Sequence, residues 1–115
     1  MLPTPVTQVI KQAEKYYPHI IKIGIFGSYS RNEHNDSSDL DVIIDYDNYS
    51  EEFMESLECL MDELELAFNG KIDYVTVPGL MNSNDEEFKQ EVLTDVQWIY
   101  DGKNMKQDFT CKLKN

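Results

Sequence analysis

Two aspartates, Asp39 and Asp41, stand two residues apart in the run Asp39-Leu40-Asp41-Val42-Ile43-Ile44-Asp45-Tyr46. In an extended chain alternate side chains share a face, so the two carboxylates project together, about 7 Å apart along the strand. Hard carboxylate oxygens in that arrangement suit Mg²⁺ ions, which in turn hold the phosphates of a substrate. Gly27 and Ser28 lie upstream at the end of the apolar run Ile20–Phe26, with ten residues between Ser28 and Asp39. Gly27 has no Cβ and lets an anion approach the backbone. Ser28 then begins a short helical turn, whose free N–H groups and hydroxyl can hold phosphate oxygens. Arg31, the only arginine of the chain, is placed to neutralise charge on a triphosphate. Asp73 sits inside Lys71–Val77, between Ile72 and Tyr74, where an isolated charge is costly to bury. If that segment neighbours the Asp39–Asp41 strand, Asp73 completes a site of three carboxylates, as general base or as a further metal ligand.

Each of these residues also has a plainer reading. Asp39 and Asp41 could be acids on an exposed strand edge. Asp73 could face water, and Arg31 could pair with Glu33 or Asp36. Ser28 as a helix N-cap is compatible with phosphate binding. Asp45 and Asp47 read as solvated charge beyond the site, and His19 and His34 as ordinary loop residues. Tyr29, beside the glycine turn, is a candidate acceptor for self-modification. The preceding Gly-Ser turn argues for the functional reading of the aspartate pair, because the two features together are poorly explained by chance.

The elements that must position these groups follow from periodicity. Val6, Val9, Ile10, Ala13 and Tyr17 mark a helix that Pro18 stops. Ile20–Phe26 reads as a buried strand, and the polar stretch to Ser38 as a turn or short helix. In Asp39–Tyr46, Leu40, Val42 and Ile44 take one face of a strand, and Asp39, Asp41, Ile43 and Asp45 the other. Ser50, followed by Glu51 and Glu52, caps a helix carrying Phe53, Leu57, Leu60, Leu64 and Phe68 on one face. Asn69-Gly70 ends it. Lys71–Val77 is a third strand closed by Pro78-Gly79, and Ser83–Glu86 is a capping box opening a helix to about Asp95. Trp98–Tyr100 fits either a helical extension or a short edge strand. The expected order α-β-α-β-α-β-α is that of a small α/β (α+β) domain, a mixed sheet flanked by helices, over residues 1–101. Residues 102–115 form a lysine-rich tail.

At 115 residues the chain has room for one packed core. Its net charge of −12 disfavours direct binding to nucleic acid, which needs basic side chains to displace counterions. Metal ions, cations or a basic protein are better matched. Cys59 and Cys111 do not suggest a disulfide framework. No stretch approaches a membrane span or a signal peptide, so the expected compartment is the cytoplasm.

The joint pattern Ile25-Phe26-Gly27-Ser28-Tyr29, Arg31, Ser38-Asp39-Leu40-Asp41-Val42 and a later Asp73 resembles the polymerase-β-like nucleotidyltransferase superfamily, in particular its minimal nucleotidyltransferase (MNT) branch. The resemblance covers roughly residues 6–101. Asn32 stands where that family commonly has glycine; asparagine tolerates left-handed backbone geometry better than most residues. The resemblance implies transfer of a nucleoside monophosphate from ATP, with two Mg²⁺ ions and release of pyrophosphate. Asp39, Asp41 and Asp73 would be catalytic metal ligands, with Gly27, Ser28 and Arg31 on the nucleotide. It further implies an MntA-type antitoxin of a type VII toxin–antitoxin pair, in a hetero-oligomer with a HEPN ribonuclease toxin that it silences by AMPylating a tyrosine. Two other functions fit the same residues: an antitoxin that inhibits by contact alone, and a nucleotidyltransferase acting on a small aminoglycoside-like molecule.

Overall fold

The computed structural model of the chain describes residues 2–103. Of the lysine-rich segment only Gly102 and Lys103 fall within them, and Cys111 lies outside.

The first helix, α1 (Thr4–Lys11), carries Pro5 in its opening turn, where a missing N–H leaves no helical bond unmade. A 3₁₀ turn, Ala13–Tyr16, follows it. The helix expected over residues 6–17 is therefore wound more tightly at its end. That winding brings the Tyr16 hydroxyl onto Glu63 of the next helix. Tyr17 is extended, as a residue before proline prefers.

Strands β1 (Lys22–Phe26) and β2 (Leu40–Asp45) pair antiparallel, from Lys22 opposite Asp45 to Phe26 opposite Asp41. Helix α2 (Glu51–Phe68) is capped by the Ser50 hydroxyl, which accepts from Phe53 N–H at 3.1 Å. It ends on Asn69, itself the left-handed residue at φ 57°. The crossover returns the chain to β3 (Ile72–Thr76), parallel to β2. Two short helices follow, α3 (Val77–Met81) and α4 (Glu86–Asp95), and then β4 (Gln97–Asp101) pairs antiparallel with the free edge of β1. The mixed sheet has the order β3-β2-β1-β4.

Two open readings are decided and two expectations change. Of the two readings of the segment after β1, the structure takes the turn: Arg31 N–H bonds to the Gly27 carbonyl, Asn32 N–H to the Tyr29 carbonyl and Glu33 N–H to the Ser28 carbonyl. Pro78-Gly79 does not close β3 but lies inside α3, where Thr76 caps Gly79 N–H. The cap of α4 is Asp85, whose carboxylate accepts from Phe88 N–H, while Ser83 supports Asp85 from outside. Of the two readings of Trp98–Tyr100, the structure takes the edge strand, β4. Gly24 permits this pairing, since a Cβ there would lie 2.8 Å from the Gln97 carbonyl oxygen and 2.9 Å from the Trp98 ring.

The sheet separates two apolar layers. On one face Ile23, Ile25, Leu40, Val42, Ile44 and Tyr100 pack against Val6 and Ile10 of α1 and Phe53, Leu57, Leu60 and Leu64 of α2. On the other, Phe26 and Ile43 meet Leu80 of α3 and Val92 of α4. Asp41 and Ile43 alternate with the first set, so Asp41 belongs to the α3–α4 face.

Candidate active site

At the end of β2 nearest the Gly27 turn, Asp41 is the register partner of Asp73 on the parallel neighbour β3. Adjacent strands lie about 4.8 Å apart, so the two side chains stand side by side on one face. Asp39, one residue before the strand, falls on that face by alternation. The crossover through α2 thus brings Asp39, Asp41 and Asp73 to one corner of the sheet.

Gly27 closes this corner from above. Its φ is +73°, a conformation that L side chains rarely adopt, and a Cβ on it would lie 2.5 Å from Asp41 Oδ2. The glycine is needed both for the turn and for the carboxylate beneath it. The turn is held by the Ser30 hydroxyl, which donates to the Gly27 carbonyl at 2.9 Å, and by Asn32 at φ 58°. Asn32 thus takes the left-handed conformation that the turn requires. Tyr29 stacks on His34 with ring centroids 4.0 Å apart and meets Phe68 edge-on.

Charge at the corner is unbalanced. Burial pushes the Asp41 carboxyl above its ordinary pKa, and the charges of Asp73 and Asp39 push it further; Arg31 and Lys71 pull it partly back. Lys71 Nζ stands 3.8 Å from Asp39 Oδ2 and 4.0 Å from Asp73 Oδ2. Among the described residues no three His, Cys, Asp or Glu side chains are gathered tightly enough to hold a metal ion as they stand. The donor set nonetheless fits a hard divalent cation: three carboxylates share one strand end, and a cation there would offset both the burial and the neighbouring charges that raise Asp41.

The remaining candidates divide. Arg31 points its guanidinium to Glu33, with Nε to Oε1 at 2.7 Å, and to Asp95 at the end of α4. Glu33 is the pairing expected from sequence; Asp95 is not, and Asp36 is not engaged. Asp45 and Asp47 stand at the opposite end of β2, with Asp45 opposite Lys22 and Asp47 3.7 Å from Lys103 Nζ. Sequence reasoning passed over Lys71, although it lies two residues before Asp73 and alternation alone would place it on the same face. Asp95 carried no local signal, being 64 residues from Arg31.

The Gly27-Ser28 turn, Asp39 and Asp41 at the start of β2 and Asp73 on the parallel neighbour thus stand at one corner of the sheet. The chain belongs to the polymerase-β nucleotidyltransferase family, whose description "Polymerase beta, Nucleotidyltransferase" is matched over residues 8–104. Two proteins of Methanocaldococcus jannaschii named as protein adenylyltransferases are each 38% identical to it, over 61 and 71 residues. The matched segments make up 52% and 60% of this chain and span 60% and 66% of the length of those relatives. Among solved structures, a toxin–antitoxin complex with AMP-PNP superposes with TM-score 0.59 at 19% identity, over 97% of this chain and 83% of that one. The complex of tri-AMPylated Shewanella oneidensis HEPN toxin with MNT antitoxin gives 0.55 at 19% identity, over 96% and 82%. At these identities the likeness is one of fold.

Proposed function

We propose that this protein is a Mg²⁺-dependent protein adenylyltransferase that transfers AMP from ATP to a tyrosine of a HEPN-type ribonuclease and thereby silences it as an antitoxin. The observation that carries the reading is the register pairing of Asp41 with Asp73 directly beneath Gly27. Asp39, Asp41 and Asp73 would hold the metal, two ions in this reading, which when bound neutralises triphosphate charge and favours departure of pyrophosphate. The backbone of Gly27-Ser28 receives the phosphates, and Arg31 lies on the same turn to balance their charge. The acceptor hydroxyl oxygen bonds to the α-phosphorus while the bond to the β-phosphate oxygen breaks. The hydroxyl proton passes to the exposed Asp73, and pyrophosphate leaves with the bonding electrons.

A protein acceptor is supported by the names of the two archaeal relatives and by the toxin–antitoxin complexes that share the fold. The acidic surface suits a basic, RNA-cutting partner in the cytoplasm, and among the described residues no helix is long and apolar enough to cross a membrane. Labelling a lysate of the native host with α-³²P-ATP and Mg²⁺ tests the reading. A labelled protein band, stable to boiling in detergent and lost in both Asp39→Asn and Asp41→Asn, is expected. A stable complex with no label moves the function to inhibition by contact alone.

A further inference from the structure

The nucleotide side of the site is braced from a part of the chain with no evident chemistry. Asp95, the last residue of α4, pairs with Arg31 Nη1, and Gln97, the first residue of β4, donates from Nε2 to the Ser30 carbonyl at 2.6 Å. The two contacts grip consecutive residues of the turn. Between them Val96 packs onto the apolar layer of Phe26, Ile43, Leu80 and Val92, which anchors the brace to the sheet.

Asp95 is an unexpected residue at its position. The C-terminal end of a helix carries partial negative charge and favours cations, yet α4 has no basic residue in its last turn. The Asp95 side chain is only 15% exposed, so its charge is poorly compensated by water. Arg31 supplies the compensation. Asp95 in turn fixes where the guanidinium lies, on the α4 side of the sheet, the face that carries Asp41 and Asp73. A guanidinium has more donors than two carboxylate contacts consume, so a tethered Arg31 can still bind phosphate oxygens.

Building on the adenylyltransferase reading, we propose that Asp95 and Gln97 are positioning residues for the phosphate turn: they hold Arg31 and the Ser30 backbone in place so that a triphosphate meets a preorganised turn. Neither touches the reacting atoms.

Calorimetric titration of the full-length chain with ATP and MgCl₂ separates this from a purely structural clamp. Wild type, Asp95→Asn, Arg31→Ala and their double variant make one cycle, with Asp41→Asn as the control for the site itself. Asp95→Asn is expected to weaken ATP binding at least about threefold while the thermal midpoint in the absence of nucleotide changes little. In the Arg31→Ala background the same change is expected to have less than half that effect, because the residue it positions is gone. Asp95→Glu, which keeps the charge, should recover part of the loss, and Gln97→Ala should weaken binding without removing the Arg31 dependence. Should Asp95→Asn fail to fold, Asp95→Ser enters the same cycle. A smaller loss than threefold, or an effect in the Arg31→Ala background of half or more of that in wild type, overturns the positioning role while leaving the adenylyltransferase reading intact. Wild type that binds no ATP, or binds it as well as Asp41→Asn does, overturns both.

Discussion

Asp41 is held against its own chemistry. Burial disfavours its charge, and Asp73 and then Asp39 disfavour it further. A carboxyl whose pKa rises on folding makes the folded state less stable above the ordinary carboxylate range, because the unfolded chain ionises more easily there. Asp41→Asn removes that penalty. The variant is expected to melt above wild type at neutral pH without divalent metal, and the gain should vanish as pH falls well below the ordinary carboxylate value, where the wild-type side chain is neutral in both the folded and the unfolded chain. Melts in EDTA from about pH 3 to about pH 8 check this, and added Mg²⁺ should raise the wild-type midpoint but not that of Asp41→Asn. An opposite sign at neutral pH would mean the carboxylate is a structural asset. Gly27→Ala acts at the same corner. It places a side chain at φ +73° and crowds Asp41, at a cost of about 1–2 kcal/mol in the left-handed conformation alone. A lowered midpoint together with lost ATP binding is the expected outcome.

At the scale of elements, the outer helix layer depends on few polar ties, and Tyr16 makes one of them. Burial and then the bond to Glu63 push the Tyr16 hydroxyl above its ordinary pKa. For Glu63, burial acts upward, but the bonds from Tyr16 and Lys15 outweigh it and lower the pKa. Tyr16→Phe is expected to cost about 1 kcal/mol, a fall of roughly 5 °C in Tm. Since the Glu63 pKa is depressed, its contribution exists above the ordinary carboxylate value and is lost in acid, so the gap between variant and wild type should close there. Legibility also divides at this scale. Strand β2 and helix α2 are plain in the sequence because their apolar residues follow periods of two and of 3.6 over a whole element. Residues 28–38 and 98–100 are not: each is too short for a period to decide. Pairing settles the second, through the space that Gly24 leaves for β4. The sequence identifies Asp39, Asp41 and Asp73 as candidates but leaves strand order open, and strand order is what makes Asp73 the neighbour of Asp41. The Arg31–Asp95 and Gln97–Ser30 ties join residues more than sixty positions apart, beyond the reach of any local pattern.

Over the whole molecule, the net charge of −12 concentrates in part on the solvent side of α2, where Glu51, Glu52, Glu55, Glu58 and Glu65 are exposed. These acids stand away from the α3–α4 face that carries the candidate site, since α2 packs on the other side of the sheet. A basic partner is therefore expected to dissociate as salt is raised, by about tenfold in Kd between low and moderate ionic strength, with Asp41→Asn binding it as well as wild type. Interferometry across a salt series reads this, and a salt-independent Kd would remove charge from the account of docking. The central claim is that the carboxylates of β2 and β3 transfer a nucleotide to that partner. Intact-mass spectrometry of the partner co-purified from cells expressing wild type or Asp41→Asn tests it most directly. A mass increase of one or more adenylyl groups, present with wild type and absent with Asp41→Asn, is the predicted result. An unmodified partner that is nevertheless bound and silenced by wild type would contradict it.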